Sequence, residues 1–430
     1  METLLFYSLV LLLLLYVGKA LLTSGIAIME LPSIFALVVL IWCIPQLFAI
    51  RLLYLDLETP LLILYVAIAM AVVSIRLGWS IGVSKTRRAS YRLSSRYTLH
   101  YVAVVTTIIA VVTTMMIERT GNGVGGTQTG IVAILLFLNG LKVVSLFLSF
   151  FLVLRYRTRA GIALLAINLL VYTPFISLYF RRQAMMEVLS CIVLALWFAR
   201  RVVLPRFLLI AIFATGYLVL SAVGEFRVRA LETGQWNYLS MSEMLSAVLA
   251  VATKLSEDIN HSELLNAINL IKTVNLDGQY SFGASSWNRL VFQWVPAQLV
   301  GYETKMSLMF ENNIRERLFM YANHEIPTGS TLTGIADAYL ELWYFGAVFY
   351  AATGYVMGRW WARAQLGDPW AMVYYVGGLG PALLTLTHSA IHFVNGILLM
   401  LIIVPLIRAS LQFLPRTRRR GLVTVSDFPI

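Results

Sequence analysis

The feature that most constrains this chain is a series of long hydrophobic runs in which polar residues do not alternate with apolar ones. Leu4–Val17, Leu61–Ile75, Tyr101–Ile117, Ile131–Leu154 and Phe207–Val223 each contain at most one charged residue. A helix needs about 20 apolar residues to cross the hydrocarbon core. Inside that core every backbone polar group must be satisfied within the protein, so helices or closed barrels are the only solutions. A barrel needs a period of two, which these runs lack, and the expected fold is an all-α polytopic membrane protein. Composition agrees: 13% of the residues are charged, against about 25% in soluble domains.

Hydropathy places spans at about 3–22, 33–54, 60–80, 97–117, 129–154, 160–178, 184–199, 202–223, 336–358, 370–387 and 391–411. That makes about eleven helices, within a range of about ten to twelve. Four regions follow: a bundle over 1–223, a large loop over 224–335, a second group of spans over 336–411, and a basic tail over 412–430. The opening Met-Glu-Thr lacks a basic n-region, so Leu4–Leu22 reads as a retained helix rather than a cleaved signal. Cys43 and Cys191 both lie in apolar runs, which excludes a disulfide framework and a cysteine metal cluster.

The net charge of +12 could suggest a nucleic-acid partner, but its distribution argues against one. The basic residues gather in Arg76–Arg96, Arg155–Arg159, Arg200–Arg206, Arg359–Arg363 and Arg408–Arg420, between or after spans. This is the positive-inside pattern and assigns those loops to the cytoplasm. Glu118–Gln128, Tyr179–Gln183, Gly224–Ile335 and the link Thr387–His392 then fall on the extracytoplasmic side. No internal repeat is visible, whereas many secondary transporters are built from paired halves.

The loop from Gly224 to Ile335 mixes charge, aromatics and short apolar runs, and loops on a rigid scaffold are where chemistry concentrates. Ser262–Lys272 and Met306–Tyr321 have helical periodicity; Ser242–Lys254 is too short to cross and suits an interfacial or re-entrant helix. Arg181, Arg182, Arg227, Arg289, Arg315 and Arg317 lie on the outer side, against the charge rule, and guanidinium forks suit phosphate. Nearby Glu225, Glu232, Glu311 and Glu316 offer a plainer explanation as ion-pair partners, with Glu311 and Arg315 spaced i, i+4.

His324 and Glu325 open a stretch with hydroxyls and two glycines that runs into the ninth span, where an imidazole can act as a base and a helix N-terminus favours an anion. His388 and His392 are spaced i, i+4 with no third ligand adjacent, so no metal site is expected, and His261 and Glu263 read as surface residues. Lys142 falls inside the fifth span, where an ionisable residue is costly and a functional candidate by default; internal pairing is the alternative. Gly121–Gly126 matches GxGxxG as a string, but it sits between two spans and reads as a hairpin.

Three stretches resemble the O-antigen polymerase family (Wzy-type repeat-unit polymerases) and, more remotely, the O-antigen ligases. They are the arginine pair opening a short apolar helix in Phe180–Leu189, the helix ending in Gly224–Arg227, and the loop end. The loop end comprises Asn288–Pro296, Gly329–Gly334 and Ala338–Gly346. Its arginine, Arg289, stands before Pro296 in a stretch where the family often has Ile-Pro-Arg, and the ligase histidine motif fits His324 only loosely.

The resemblance implies a GT-C-like glycosyltransferase in a bacterial inner membrane. Its substrate would be undecaprenyl-diphosphate-linked oligosaccharide, with a chain-length regulator as a possible partner in the same membrane and no cofactor. His324, Arg289, Asp277 and Glu325 would be catalytic, with His324 the first choice of base. Arg181, Arg182, Arg227, Arg315, Arg317, Lys142, Trp287 and Trp294 would bind substrate, the tryptophans by stacking on sugars. A transporter or flippase for lipid-linked or anionic substrates, a ligase and a scaffold subunit remain the alternatives.

Overall fold

The computed structural model describes residues 1–23, 26–54, 57–86, 96–119, 131–178, 182–203, 263–311, 313–327 and 330–411, with the single positions 205, 208 and 211. Among the described residues every regular element is helical. Eight stretches are long and apolar enough to cross a membrane. Seven of them are α1 (Glu2–Thr23), α2 (Leu31–Leu53), α3 (Glu58–Ser84), α4 (Arg96–Arg119), the pair α5 (Ile131–Asn139) and α6 (Lys142–Tyr156), α7 (Arg159–Thr173) and α8 (Arg182–Arg200). Helices α9 (Glu263–Asp277), α10 (Ala284–Trp294), α11 (Ala297–Val300), α12 (Tyr302–Ser307) and α13 (Ile314–Ala322) follow, then α14 (Gly334–Leu342), α15 (Ala347–Gln365), α16 (Pro369–Thr387) and the eighth stretch, α17 (His392–Ser410). Leucines of α1 and Ile108, Val112 and Met115 of α4 are exposed, as lipid-facing residues are. The chain is a helical membrane protein. The span expected at 202–223 and the helix expected at Ser242–Lys254 lie outside the described residues.

Helices α15 and α16 have the length of a span, at 19 residues each, but carry more glycine and aromatic polar groups. They pack inside the bundle. Helix α15 runs parallel to α3 with the two backbones in contact: a Cβ on Gly78 would lie 1.9 Å from the Ala351 carbonyl oxygen, and one on Gly354 2.2 Å from that of Ile75. Small residues permit such close approach between membrane helices. A polar seam joins α4, α6 and α7. The Asn168 amide donates to Thr107 and Ser149 and accepts from Ser145, so this buried amide is fully satisfied.

Members of the five basic clusters collect at one set of helix ends. There Arg96 lies over Tyr156, Arg201 bonds Gln365, Arg408 lies over Trp370, and Arg363 pairs with Asp368. Helices α9 to α14 lie at the opposite end.

Three expected helices prove discontinuous. The fifth span breaks at Gly140–Leu141, where the preceding Asn139 amide turns to the hydroxyls of Thr113 and Thr114. The span expected at 336–358 is two helices, because Trp343 takes a left-handed φ of 54° and Gly346 folds back against the Ala338 carbonyl. The helix expected over Met306–Tyr321 splits into α12 and α13. The Asn288 side chain accepts from the Phe310 N–H and donates to its carbonyl, both at 2.8 Å, replacing the helical bonds.

Helix α9 departs furthest from expectation. The helical periodicity of Ser262–Lys272 is borne out, but the surface role expected for Glu263 is not. Instead Leu264–Ile271 are all buried, against α2, α3, α13 and α14, and Glu263 lies within electrostatic range of Cys43 inside α2. Its polar residues survive burial because Asn269 and Thr273 bond carbonyls one turn back. His261 lies outside the described residues.

Candidate functional site

The site grows from α14, which enters the bundle through a tight passage. Thr333 has φ 61° and ψ 149°, a region that costs a non-glycine residue roughly 1–3 kcal/mol, and its hydroxyl caps the helix. The next residue must be glycine, since a Cβ on Gly334 would meet the Thr385 carbonyl oxygen at 1.7 Å. This brings the start of α14 against the end of α16 and the link to α17.

Two carboxylates one turn apart on α14, Asp337 and Glu341, are fully buried. Both hold α10. Glu341 accepts from the backbone N–H groups of Gly283 and Ser286 and from the Ser286 hydroxyl, at the positive N-terminal end of α10. Asp337 Oδ2 accepts from Arg289 Nη1 at 2.7 Å and from the Ala390 N–H at 3.0 Å. Its Oδ1 is buried with no hydrogen-bond partner among the described residues. Arg289 is 32% exposed while Asp337 is sealed, so the guanidinium is anchored from behind and open in front. Beside it the His388 and His392 rings lie 5.4 Å apart. Desolvation by the surrounding protein, and then the Arg289 charge, lower the His388 pKa.

A second centre is a cleft of about 580 Å³ under α13, lined by Arg315, Glu316, Phe319, Met320, His324, Glu325 and Ile326 among others. His324 is half-buried, and burial lowers its pKa. Its Nε2 lies 2.7 Å from Asn266 Oδ1. The two centres are joined by one polar seam. The Asn266 amide nitrogen donates to the Thr331 carbonyl, the Thr331 hydroxyl to the Thr387 carbonyl at 2.5 Å, and the Thr387 hydroxyl bonds His388 Nδ1 at 2.8 Å.

Of the sequence candidates, the structure thus places Arg289 at one centre and His324, Glu325 and Arg315 at the other. Arg317 and Asp277 are elsewhere engaged. Arg317 bonds both Asp277 oxygens, at 2.6 and 3.0 Å, and the Asp277 side chain is 1% exposed and also accepts from the Gln279 N–H. This pair ties α9 to α13, which leaves Asp277 no free oxygen for a base and Arg317 no free fork for a phosphate. Glu311 precedes α13, so it does not form the expected helical pair with the exposed Arg315. Trp287 is exposed and donates its indole N–H to the Leu308 carbonyl. Trp294 instead packs on Phe137 of α5, centroids 4.4 Å apart, with its N–H unpartnered among the described residues.

Lys142 is buried, as its position in a span requires. It lies 3.9 Å from Glu187 and over the rings of Phe175 and Tyr172, at 4.0 and 5.1 Å. Glu187 also accepts from the Tyr172 hydroxyl and the Gln183 amide. Arg182 begins α8, while Arg181 and Arg227 lie outside the described residues.

Sequence reasoning passed over Asp337, Glu341 and Asn266. The first two stand inside a stretch read as a span, and a carboxylate at the start of a span was itself a usable signal. No protein-family model, curated protein or solved structure matches the chain.

Proposed function

We propose that the chain is a glycosyltransferase that polymerises undecaprenyl-diphosphate-linked oligosaccharide repeat units on the outer face of a bacterial inner membrane. The observation that carries this reading is Arg289, held from behind by a sealed carboxylate and open in front, at the helix ends opposite the basic clusters. By the positive-inside rule those ends are extracytoplasmic. Arg315, Glu325 and the exposed Trp287 lie on the same side and suit a glycan; Arg181, Arg182 and Arg227 are further candidate phosphate ligands by sequence.

In the proposed reaction a hydroxyl of the next lipid-linked unit attacks the anomeric carbon of the growing chain. The new C–O bond forms as the bond to the lipid diphosphate breaks, and its electron pair leaves on the diphosphate oxygen. Arg289 stabilises that developing charge, the main demand of such a step. The hydroxyl proton passes to His324, with Glu325 as the alternative base. The energy resides in the lipid diphosphate bond, so this scheme calls on no cofactor.

The test is the ladder of products formed by the full chain in vesicles supplied with lipid-linked repeat units. Arg289→Lys keeps the charge but loses the fork, and a drop of about 10- to 100-fold is expected. A ladder of wild-type rate and length from Arg289→Lys and Arg289→Ala alike would remove Arg289 from the reaction. A transporter of lipid-linked or anionic substrates is the second reading. It is favoured by the Lys142–Glu187 pair, an intramembrane ionisable cluster of the kind that marks substrate paths. Substrate translocation without chain growth would select it.

A further inference from the structure

We infer that Asn266 is a positioning residue that keeps the hydrogen of His324 on Nε2, so that Nδ1 is the proton-accepting atom offered to an uncharged, hydroxyl-rich ligand in the α13 cleft. The polymerase reading is needed only to identify that ligand as the acceptor glycan.

The amide of Asn266 is fully buried on α9. Its nitrogen donates to the Ser330 hydroxyl at 2.7 Å and to the Thr331 carbonyl at 2.9 Å. A carbonyl can only accept, so the nitrogen and oxygen of this amide cannot be exchanged. The atom facing His324 is therefore the amide oxygen, which can only accept as well. The 2.7 Å contact then requires a hydrogen on His324 Nε2. A neutral imidazole carries one N–H, and the second nitrogen is left as a lone-pair acceptor. Burial favours that neutral ring.

Helix α13 contributes Arg315 and Glu316 to the cleft, the segment after it contributes Glu325, and α9 faces the ring with the neutral Asn266, whose nitrogen is held by Ser330 and Thr331. One arginine stands against two glutamates in the cleft lining, so its balance is negative. That balance disfavours a diphosphate and suits hydroxyl groups, while Phe319 supplies an aromatic face and the volume is that of a small-molecule site. The two centres then divide the substrates: phosphate at Arg289, hydroxyls at His324.

The deciding experiment is ¹⁵N NMR of the full chain in nanodiscs with labelled histidine. The chain has five histidines, and the His324 signals are those missing from His324→Gln. The expected result above neutral pH is a hydrogen on Nε2 and a bare Nδ1. A hydrogen on Nδ1 in the wild-type protein overturns the inference without any variant having to fold.

Asn266→Ala should mix the two tautomers, and an unchanged ratio removes Asn266 from the role. Asn266→Asp should raise the His324 titration midpoint by about one pH unit, because a carboxylate favours the imidazolium. In the vesicle assay Asn266→Ala should lower kcat by about 10-fold or more with KM changed less than about threefold. If the wild-type chain makes no polymer at all, the polymerase reading fails while the NMR result stands.

Discussion

Two buried ion pairs stand in different parts of this molecule and behave as different kinds of object. Lys142 and Glu187 lie within the spans, are almost equally enclosed at 11% and 10% exposure, and sit 3.9 Å apart among aromatic rings. Arg289 and Asp337 lie at the bundle's end opposite the basic clusters, 2.7 Å apart, one member a third exposed and the other sealed. In the first pair both charges are withdrawn from water and are compensated inside the protein, Glu187 by Lys142, Tyr172 and Gln183. In the second the carboxylate is a fixed anchor and the guanidinium keeps an edge for something outside the protein. Enclosure, more than the presence of a pair, separates a withdrawn charge from a presented one.

The largest effect should come from breaking the open pair one member at a time. Arg289→Ala strands a buried carboxylate and should cost about 3–5 kcal/mol of stability. Asp337→Ala leaves an arginine that can turn to water but strands the buried Ala390 N–H, and should cost less, about 1–3 kcal/mol. Thermal unfolding in detergent measures both, and equal losses would show that Arg289 is as enclosed as Asp337.

The sealed pair should lack this asymmetry. Lys142→Met and Glu187→Gln should each be destabilising by similar amounts, while the double variant returns to within about 1 kcal/mol of wild type, since apolar or neutral replacements of a buried pair are often tolerated. A double variant as damaged as the sum of its singles would mean the two charges do not compensate each other.

The smallest effect reads the field of Arg289 at its open side. Its charge helps lower the His388 pKa, so Arg289→Gln should raise the His388 titration midpoint, measured by NMR. The sign for stability follows. A histidine whose folded pKa is depressed binds fewer protons folded than unfolded, so stability falls as pH drops through the ordinary histidine value toward the folded one. That slope should be shallower in Arg289→Gln. An unmoved midpoint would turn the free edge of Arg289 away from His388.

The spans were legible because hydrocarbon admits so few solutions, and runs such as Leu61–Ile75 leave little choice. The placement of Lys142 in a buried setting followed from the same rule. The breaks were not legible, because each depends on one distant partner: the Asn288 amide that takes over the bonds of Phe310, or the Ala338 carbonyl against Gly346. The depth at which α9 is buried was not legible, because Asn266, Asn269 and Thr273 look solvated in sequence, and only their bonds explain how they tolerate burial. The candidate site was half visible. Arg289, His324, Glu325 and Arg315 carried their chemistry openly. Asp277 and Arg317 looked equally suitable and turned out to be bonded to each other.

Helix α9 also fixes an order of assembly. At 15 residues it is about 22 Å long, too short and too polar to enter a bilayer by itself. It therefore takes its place only against helices already there. Two of its walls, α2 and α3, are made long before it, but α14 is made some sixty residues after it. The wall that α14 forms against α9, with Asp337 and Glu341, is the last of these to be made. The same helix docks α10 and sets Arg289. The surroundings of Arg289 therefore cannot be complete before α14 has been made.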